Sequence, residues 1–204
     1  MEGVPLNIGQ ILSTTPRRVL GVLLLTALLL TACGGSSSES WAGVSADGDA
    51  NIIYVSYDKH VAAINAETGE SLWKYESDGA KFFAVPTVTD DMIYVGDYEG
   101  QLHALTLGGE EAWVYTPDRH TLIGPLALEP KDRIIGSVAV GDDYLYFGLG
   151  SRNVVAVSRE TADEVWTFET DHGVWATPLY LEADSDLGRD VDTVYVASLD
   201  RNLY

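Results

Sequence analysis

The sequence predicts an all-β fold, a β-propeller of four-stranded antiparallel blades, on the basis of three observations. A unit of sequence recurs four times along the chain, at intervals of 40 to 52 residues. Each unit alternates strand-forming residues with turn-forming residues, and an earlier strand leads into it. The 11 Tyr and 5 Trp far outnumber the 2 Met, and aromatic side chains favour pleated sheets. Four strands at this period are typical of a propeller blade.

The recurring unit has a nearly constant inner length. The distance from its Tyr to its Trp is 19, 19 and 20 residues, whereas the distance from one Tyr to the next is 40, 52 and 49. Length therefore varies only in the connections, which argues against a chance resemblance. The units contain Tyr54, Tyr94, Tyr146 and Tyr195, and the first three end at Trp73, Trp113 and Trp166.

The strands of the second unit can be assigned from its residue types. β-type residues occupy Met92–Gly96, and Asp97–Gly100 supplies a turn. The following strands are predicted at Gln101–Leu105 and Glu110–Tyr115. Leading strands are predicted at 82–88 and, in the fourth unit, at 174–181. No stretch after residue 40 shows a helical period.

The third strand of each unit leads into a turn and then the Trp. In the first unit, Gly69 can adopt the positive φ of such a turn, and Asn65 can bond to its backbone. The run from Ala63 through Thr68 to Trp73 resembles the tryptophan-docking motif of quinoprotein propellers, with Asn65 in place of Asp.

The other units follow the same motif with small departures. The matching residues are Ala156, Thr161 and Trp166 in the third unit, with Ser158 and Ala162 substituted, and Ala104, Gly109 and Trp113 in the second, which lacks one turn residue. The resemblance covers nearly all of residues 41–204. It implies that each Trp packs between neighbouring blades; the alternative, a buried strand residue, is also structural.

The N-terminal segment has the features of an export signal. Arg17 and Arg18 precede a thirteen-residue apolar run, 19–31, which is short for a membrane span. The sequence Leu-Thr-Ala-Cys at 30–33 resembles the lipobox of bacterial lipoproteins, which implies lipidation of Cys33. We therefore expect a signal peptide at 1–32, the lipidated Cys with a Gly/Ser tether at 33–40, and propeller repeats at 41–204. An ordinary signal peptide and twin-arginine export are the alternatives.

The charge of the chain narrows the choice of partners. Its formal net charge is -19, so it repels phosphate backbones, and nucleic acid is excluded as a partner. Anionic lipid headgroups are repelled as well, so membrane attachment requires the anchor at Cys33. We expect export, with anchoring to the outer face of the cytoplasmic membrane or to the outer membrane.

The last residue, Tyr204, falls where a third strand of the fourth unit would continue. Propellers close with roughly four to eight blades. We therefore expect an incomplete propeller of about three and a half to four blades, truncated at its C-terminus. Ring closure by self-association is the alternative.

The sequence predicts no catalytic, cofactor-binding or metal-binding residue. The histidines share no ligand spacing, and His103 is expected on a strand surface. The loop 183–193 is acidic and is interpreted as a solvated insertion, with calcium binding as the alternative. The residues concerned are His60, His103, His120 and His172, and Asp184, Asp186, Asp190 and Asp192.

These features favour a non-catalytic, membrane-anchored propeller that binds another protein at the cell envelope. Its plan is similar to that of the propeller lipoprotein of the outer-membrane β-barrel assembly machinery, and outer-membrane protein assembly is one role that this resemblance implies. One alternative is a fragment of a pyrroloquinoline quinone (PQQ)-dependent oxidoreductase. The other is a surface sensor or carbohydrate-binding module. No cofactor is expected.

Overall fold

The computed structural model describes residues 43–47, 50–117, 132–188 and 190–204. These residues form β-strands and one short 3-10 helix, Ser185–Leu187. None of the described helices is long and apolar enough to cross a bilayer. The predicted signal peptide, Cys33 and His120 lie outside the described residues.

Three four-stranded antiparallel sheets form blades 1 to 3, each with its strands in sequence order. Blade 1 contains β1 (Gly43–Asp47), β2 (Ile52–Tyr57), β3 (His60–Asn65) and β4 (Ser71–Glu76). Blade 2 contains β5 (Thr87–Val88), β6 (Met92–Gly96), β7 (Leu102–Thr106) and β8 (Glu111–Tyr115). Blade 3 contains β9 (Ala139–Val140), β10 (Tyr144–Gly148), β11 (Asn153–Ser158) and β12 (Glu164–Glu169). The predicted all-β class and the four-stranded repeat are confirmed.

Blade 4 is represented by a two-stranded sheet, β13 (Leu179–Leu181) and β14 (Thr193–Tyr195). The chain then turns back, and Val196 and Tyr204 exchange two backbone hydrogen bonds of 2.9 Å. The pairing places Tyr204 at the start of a third strand, where the repeat predicts one.

The leading strands are shorter than the sequence predicts. Only Thr87–Val88 and Leu179–Leu181 pair regularly, although Phe82 makes an isolated bridge to Asp97. Pro86 and Pro178 each immediately precede the first residue of these strands. Because proline has no amide hydrogen, it cannot donate to the neighbouring strand, and the regular ladder starts after it.

Each complete blade repeats a bulge and an aromatic pair. The register between the third and fourth strands shifts immediately after the motif Ala, at Ala63, Ala104 and Ala156. The ring of the second-strand Tyr packs beside the Trp ring of its own blade. The ring centroids are 6.0 Å apart for Tyr54 and Trp73, 6.0 Å for Tyr94 and Trp113, and 5.8 Å for Tyr146 and Trp166.

The apolar core lies between adjacent blades rather than within one blade. One cluster joins blades 1 and 2 and includes Tyr54, Val61, Phe82 and Ile93. A second joins blades 2 and 3 around Leu145 and other buried side chains. Adjacent blades therefore stabilise one another through burial of apolar surface.

Side-chain hydroxyls connect the inner edges of neighbouring blades. Thr87 Oγ1 donates to the Val138 carbonyl over 3.0 Å and accepts from the Val138 amide over 3.2 Å. Ser137 Oγ donates to the Val85 carbonyl, and the Ser137 amide donates to Thr177 Oγ1, each over 3.0 Å. These bonds satisfy backbone groups at an edge where neighbouring strands do not pair.

Candidate interaction surface

One end of the blades, here called the hairpin end, carries the turns between the second and third strands. The turn is tight at Asp58–Lys59 and wider at Asp97–Gln101 in blade 2. The segments that connect one blade to the next run beside these turns. Their backbone contacts are Tyr98 N to Lys81 O (2.8 Å), Gly150 N to Arg133 O (2.8 Å) and Leu199 N to Gly173 O (3.1 Å).

A stack of three side chains lies at the hairpin end of blade 2. The rings of Phe83 and Tyr98 are 4.5 Å apart. The Arg133 guanidinium carbon lies 4.2 Å from the centre of the Tyr98 ring, which is cation–π geometry. Arg133 Nε is buried and has no hydrogen-bond partner. The tyrosine is thus held between a neighbouring ring and a cation that retains donor capacity.

Trp175 occupies the position in blade 4 that Phe83 occupies in blade 2. Each follows a residue whose amide bonds to the preceding hairpin: Phe82 N to Asp58 O over 2.6 Å, and Val174 N to Leu149 O over 3.0 Å. Phe83 is 6% exposed, whereas Trp175 is 50% exposed. Phe83 belongs to a stack that Arg133 of the following connection completes, whereas the described residues provide no such connection after blade 4.

Charge is distributed unequally between the two ends of the blades. The opposite end, here called the turn end, carries the acidic loop 183–193 and the carboxylate pairs at 90–91 and 142–143. The described cations of the hairpin end are Lys59, Lys81, Arg133, Arg152 and Arg201, whereas Arg159 lies at the turn end. The same hairpins and connections also carry seven carboxylates, those of Asp58, Asp78, Asp97, Glu99, Asp132, Asp171 and Asp200. Both ends are therefore acidic, and the hairpin end is the less acidic of the two.

The motif turn of blade 1 is held by its own side chains. Asn65 Oδ1 accepts from the amides of Glu67 (3.0 Å) and Thr68 (2.9 Å), and Gly69 has a φ of 72°. Ala63, opposite Trp73 in the ladder, is fully buried.

Trp73 contacts the corresponding turn of blade 2. Its Nε1 donates to the Leu107 carbonyl over 2.9 Å. Its ring lies so close to Gly109 that a Cβ built there would be 2.5 Å from the ring. The contact therefore requires both the backbone carbonyl and the missing side chain of the glycine.

The other motif residues have different surroundings. Trp113 packs with Ala162 against the cluster between blades 2 and 3, and Ala162 has a φ of 62° at the position of Gly69. Thr161 Oγ1 donates to Asp163 over 2.7 Å. Trp166 is 38% exposed and lines a groove of about 550 Å³ with Phe168, Val194 and Tyr204.

The expectation that His103 is a surface residue is wrong. Its side chain is buried, at 1% exposure, in the interface between blades 1 and 2. His103 Nε2 lies 3.2 Å from Asp97 Oδ2, and the edge of the Phe82 ring packs on the imidazole at 5.2 Å. The prediction failed because Phe82 and Tyr75, which belong to the preceding connection and to blade 1, cover the imidazole.

The remaining polar residues do not converge on one site. His60 Nε2 lies 3.1 Å from Glu76 Oε2, and His172 Nδ1 accepts from the Gly173 amide over 2.8 Å. In the acidic loop, Asp184 caps the 3-10 helix and Asp192 accepts from the Tyr180 hydroxyl. Across the described part of the chain, no group of three or more His, Cys, Asp or Glu side chains could hold a metal ion.

Tyr98, Arg133 and Trp175 were not predicted from the sequence as surface contacts. The available signal was their position: each lies in a hairpin or a blade-to-blade connection, where function concentrates in repeat folds. A Trp outside the Tyr-to-Trp spacing, as Trp175 is, was the strongest pointer.

The repeated blades and their inter-blade Trp contacts define the quinoprotein-type β-propeller class. A family model described as outer membrane protein assembly factor BamB matches residues 31–166, two thirds of the sequence. The chain belongs to this family.

Individual relatives agree with this assignment. The chain is similar to an outer membrane protein assembly factor BamB of Shewanella oneidensis, 27% identical over 146 residues, which are 70% of this chain and 35% of the relative. It is also 27% identical over 139 residues to the quinohemoprotein alcohol dehydrogenase ADH IIB of Pseudomonas putida, covering 62% of this chain and 20% of the enzyme.

A solved structure shows the same fold. The crystal structure of BamB from Moraxella catarrhalis superposes with a TM-score of 0.58 and 18% identity, over 80% of this chain and 44% of that chain. The chain thus spans about a third of the Shewanella relative and less than half of the Moraxella structure.

Proposed function

We propose that this protein is a non-catalytic propeller scaffold that binds another envelope protein during outer-membrane protein assembly. The observation that carries the proposal is the match of two thirds of the chain to the assembly-factor family. The hairpin end supports it, because it carries both the half-exposed Trp175 of blade 4 and, at blade 2, the stack of Phe83, Tyr98 and Arg133. Aromatic and arginine side chains of this kind dominate protein–protein interfaces.

Site-specific photo-cross-linking in cells tests where the partner binds. A photoreactive residue is placed at position 175, and a control at position 144, since Tyr144 is 38% exposed near the turn end. We expect cross-links to an outer-membrane assembly protein from position 175 only. Equal yields from both positions, or cross-links to unrelated proteins alone, would contradict the proposal.

Substitutions at the same surface provide a second test. Trp175→Ala and Arg133→Glu should each lower the yield of complex recovered with the tagged protein by about tenfold, the scale of an interface hot spot. Tyr144→Ala is the matched control and should leave recovery unchanged. Circular dichroism of each variant verifies that the blades are folded.

We further propose that the scaffold is attached to a membrane through a lipid on Cys33. The export-signal pattern and the lipobox at 30–33 support this anchor, and acylation at two positions is sufficient for stable attachment. Cys33→Ser should abolish incorporation of labelled palmitate and release the protein from membranes, whereas Ser37→Ala should do neither. Equal membrane association of the Cys33→Ser protein would refute the anchor.

The similarity to a quinohemoprotein dehydrogenase makes a quinone enzyme the second candidate. The described residues supply no converging His, Cys, Asp and Glu ligands for a metal, and we assign no reaction step to them. Purified protein incubated with PQQ and Ca²⁺ should show neither cofactor absorbance after desalting nor alcohol-dependent dye reduction. Activity in this assay would replace the scaffold proposal with the enzyme.

A further inference from the structure

A continuous series of polar contacts runs from blade 1 into the hairpin of blade 2. The Tyr75 hydroxyl of blade 1 donates to Glu111 and lies 3.3 Å from His103 Nδ1. On the other side of the imidazole, His103 Nε2 lies 3.2 Å from Asp97 Oδ2. Two buried polar side chains thus connect one blade to the turn of the next.

Asp97 uses its second oxygen to shape the hairpin. Its Oδ1 accepts from the backbone amides of Glu99 (2.9 Å) and Gln101 (2.8 Å), the two residues on either side of Gly100. Asp97 itself is fully buried. The carboxylate therefore supplies the acceptor for two backbone amides of the turn that presents Tyr98.

Blade 3 shows that the fold does not require these polar residues. Its hairpin makes the same backbone bonds, Leu149 N to Asn153 O and Arg152 N to Leu149 O, as Asp97 N to Gln101 O and Gly100 N to Asp97 O in blade 2. Leu149 occupies the position of Asp97, and Val155 that of His103, and both are buried. Gly150 stands where blade 2 has Tyr98. Of these two blades, the one with the buried Asp97–His103 pair is therefore the one whose hairpin carries an aromatic side chain, Tyr98.

Physical chemistry indicates that the pair contributes little to net stability. Replacing both partners of a buried, hydrogen-bonded polar pair by apolar residues of similar size is often neutral or stabilising, because the desolvation cost disappears. Such groups can instead select one conformation among several of similar energy. The apolar pair of blade 3 is the natural example of that replacement.

We propose that Asp97 and His103 are positioning residues for the interaction surface, holding the blade 2 hairpin so that Tyr98 lies between Phe83 and Arg133. The effect of this positioning on partner binding rests on the proposed function, because the positioned surface is the one that we assign to the partner. The positioning itself is a property of the free protein and is measurable without a partner.

The test transplants the blade 3 pair into blade 2 of the full chain, as the double variant Asp97→Leu, His103→Val. We expect its melting temperature to equal or exceed that of the wild type, while the amides of Glu99 and Gln101 exchange with solvent at least about tenfold faster, because each has lost its acceptor. Cross-linking from position 98 should fall in parallel. A merely structural pair would lower the melting temperature as well.

His103→Gln serves as the conservative control, because its amide can still donate to Asp97. We expect its hairpin exchange to stay within about twofold of the wild type. Unchanged exchange at Glu99 and Gln101 in the double variant would overturn the positioning role, as would a fall in melting temperature that matches the rise in exchange. Faster exchange without any wild-type cross-link from position 98 would leave positioning intact and count against the proposed function.

Discussion

The interface between blades 1 and 2 and the interface between blades 2 and 3 share one framework. In both, a tyrosine on the outer strand of one blade donates to a glutamate on the outer strand of the next: Tyr75 to Glu111, and Tyr115 to Glu164 over 2.7 Å. In both, a Trp contacts the motif turn of the following blade. The repeated contacts thus lie at the periphery of the interface.

The interiors of these two interfaces differ in chemistry. His103 and Asp97 are buried between blades 1 and 2, whereas Val155 and Leu149 occupy the same positions between blades 2 and 3, where the rings of Tyr115 and Phe147 pack edge-on at 5.6 Å. The outer contacts therefore determine how adjacent blades pack. The two buried positions inside the interface can be polar or apolar, provided that both residues are of the same kind.

The largest expected loss of stability comes from placing a polar side chain beside an apolar one inside an interface between blades. Val155→His would place an imidazole opposite Leu149, which offers no acceptor, and would add volume to a filled site. We expect it to lower the free energy of unfolding by about 3 kcal/mol, measured by urea denaturation. The double variant Leu149→Asp, Val155→His should recover part of that loss. If Val155→His leaves the free energy of unfolding unchanged, the two buried positions do not need to be of the same chemical kind.

The sequence was sufficient to predict the outer contacts of the interfaces between blades, but not the residues buried inside those interfaces. The spacing from Tyr to Trp identifies the strands, the bulged ladder and the turn of each blade because those features repeat at fixed distances. His103 appears only once, so no repeat places it. Its burial depends on Tyr75 and Phe82, which lie 28 and 21 positions earlier and belong to another blade or to a connection.

An intermediate effect is expected at the turns beneath the Trp side chains. Gly109 has a φ of 85° and lies against the Trp73 ring, so Gly109→Ala should cost about 2 kcal/mol in unfolding free energy. Gly69→Ala is the control, because Gly69 has a similar φ and open space around it; we expect about 1 kcal/mol. Equal losses would mean that the Trp73 contact contributes nothing.

The motif turn of blade 3, which Trp113 contacts, allows the opposite substitution, from alanine to glycine. Ala162 already adopts a φ of 62° without glycine. Ala162→Gly should change stability by less than about 0.5 kcal/mol, because relief of backbone strain is offset by the greater freedom of glycine in the unfolded chain. Thermal denaturation of this variant beside Gly109→Ala shows whether the two turns tolerate different residues.

The smallest effect concerns the tyrosine–glutamate bonds. Tyr75→Phe and Tyr115→Phe should each cost about 1 kcal/mol at neutral pH. Burial, and then the hydrogen bond to Glu111, raise the pKa of Tyr75. The neutral phenol is therefore favoured in the folded state, and its contribution is complete below the unfolded value near 10 and is lost as the pH rises above it.

The pH dependence provides the readout for Tyr75. The stability difference between wild type and Tyr75→Phe should shrink as the pH is raised from about 9 to about 11, in urea titrations at each pH. Tyr57→Phe is a control with a more exposed ring. A difference that stays constant across this range would show that ionisation of Tyr75 is not coupled to folding.

The interaction surface was less predictable than the blades. Arg133 lies in the connection between blades 2 and 3, and its contact with the Tyr98 hairpin spans 35 positions of sequence. Such a contact has no local pattern, because it arises from how the connection crosses the hairpin. Composition and spacing identify the scaffold, whereas the side chains on its end depend on the packing of particular loops.

The bond from Trp73 to the backbone carbonyl of Leu107 has a consequence for the ancestry of the repeat. A carbonyl is present whatever side chain a position carries, so a duplicated blade could join its neighbour before its own sequence had diverged. Only the small residue beneath the ring had to be kept. Copying, deletion and exchange of whole blades within a gene would thus preserve the joint, leaving the hairpins and connections free to acquire new binding properties.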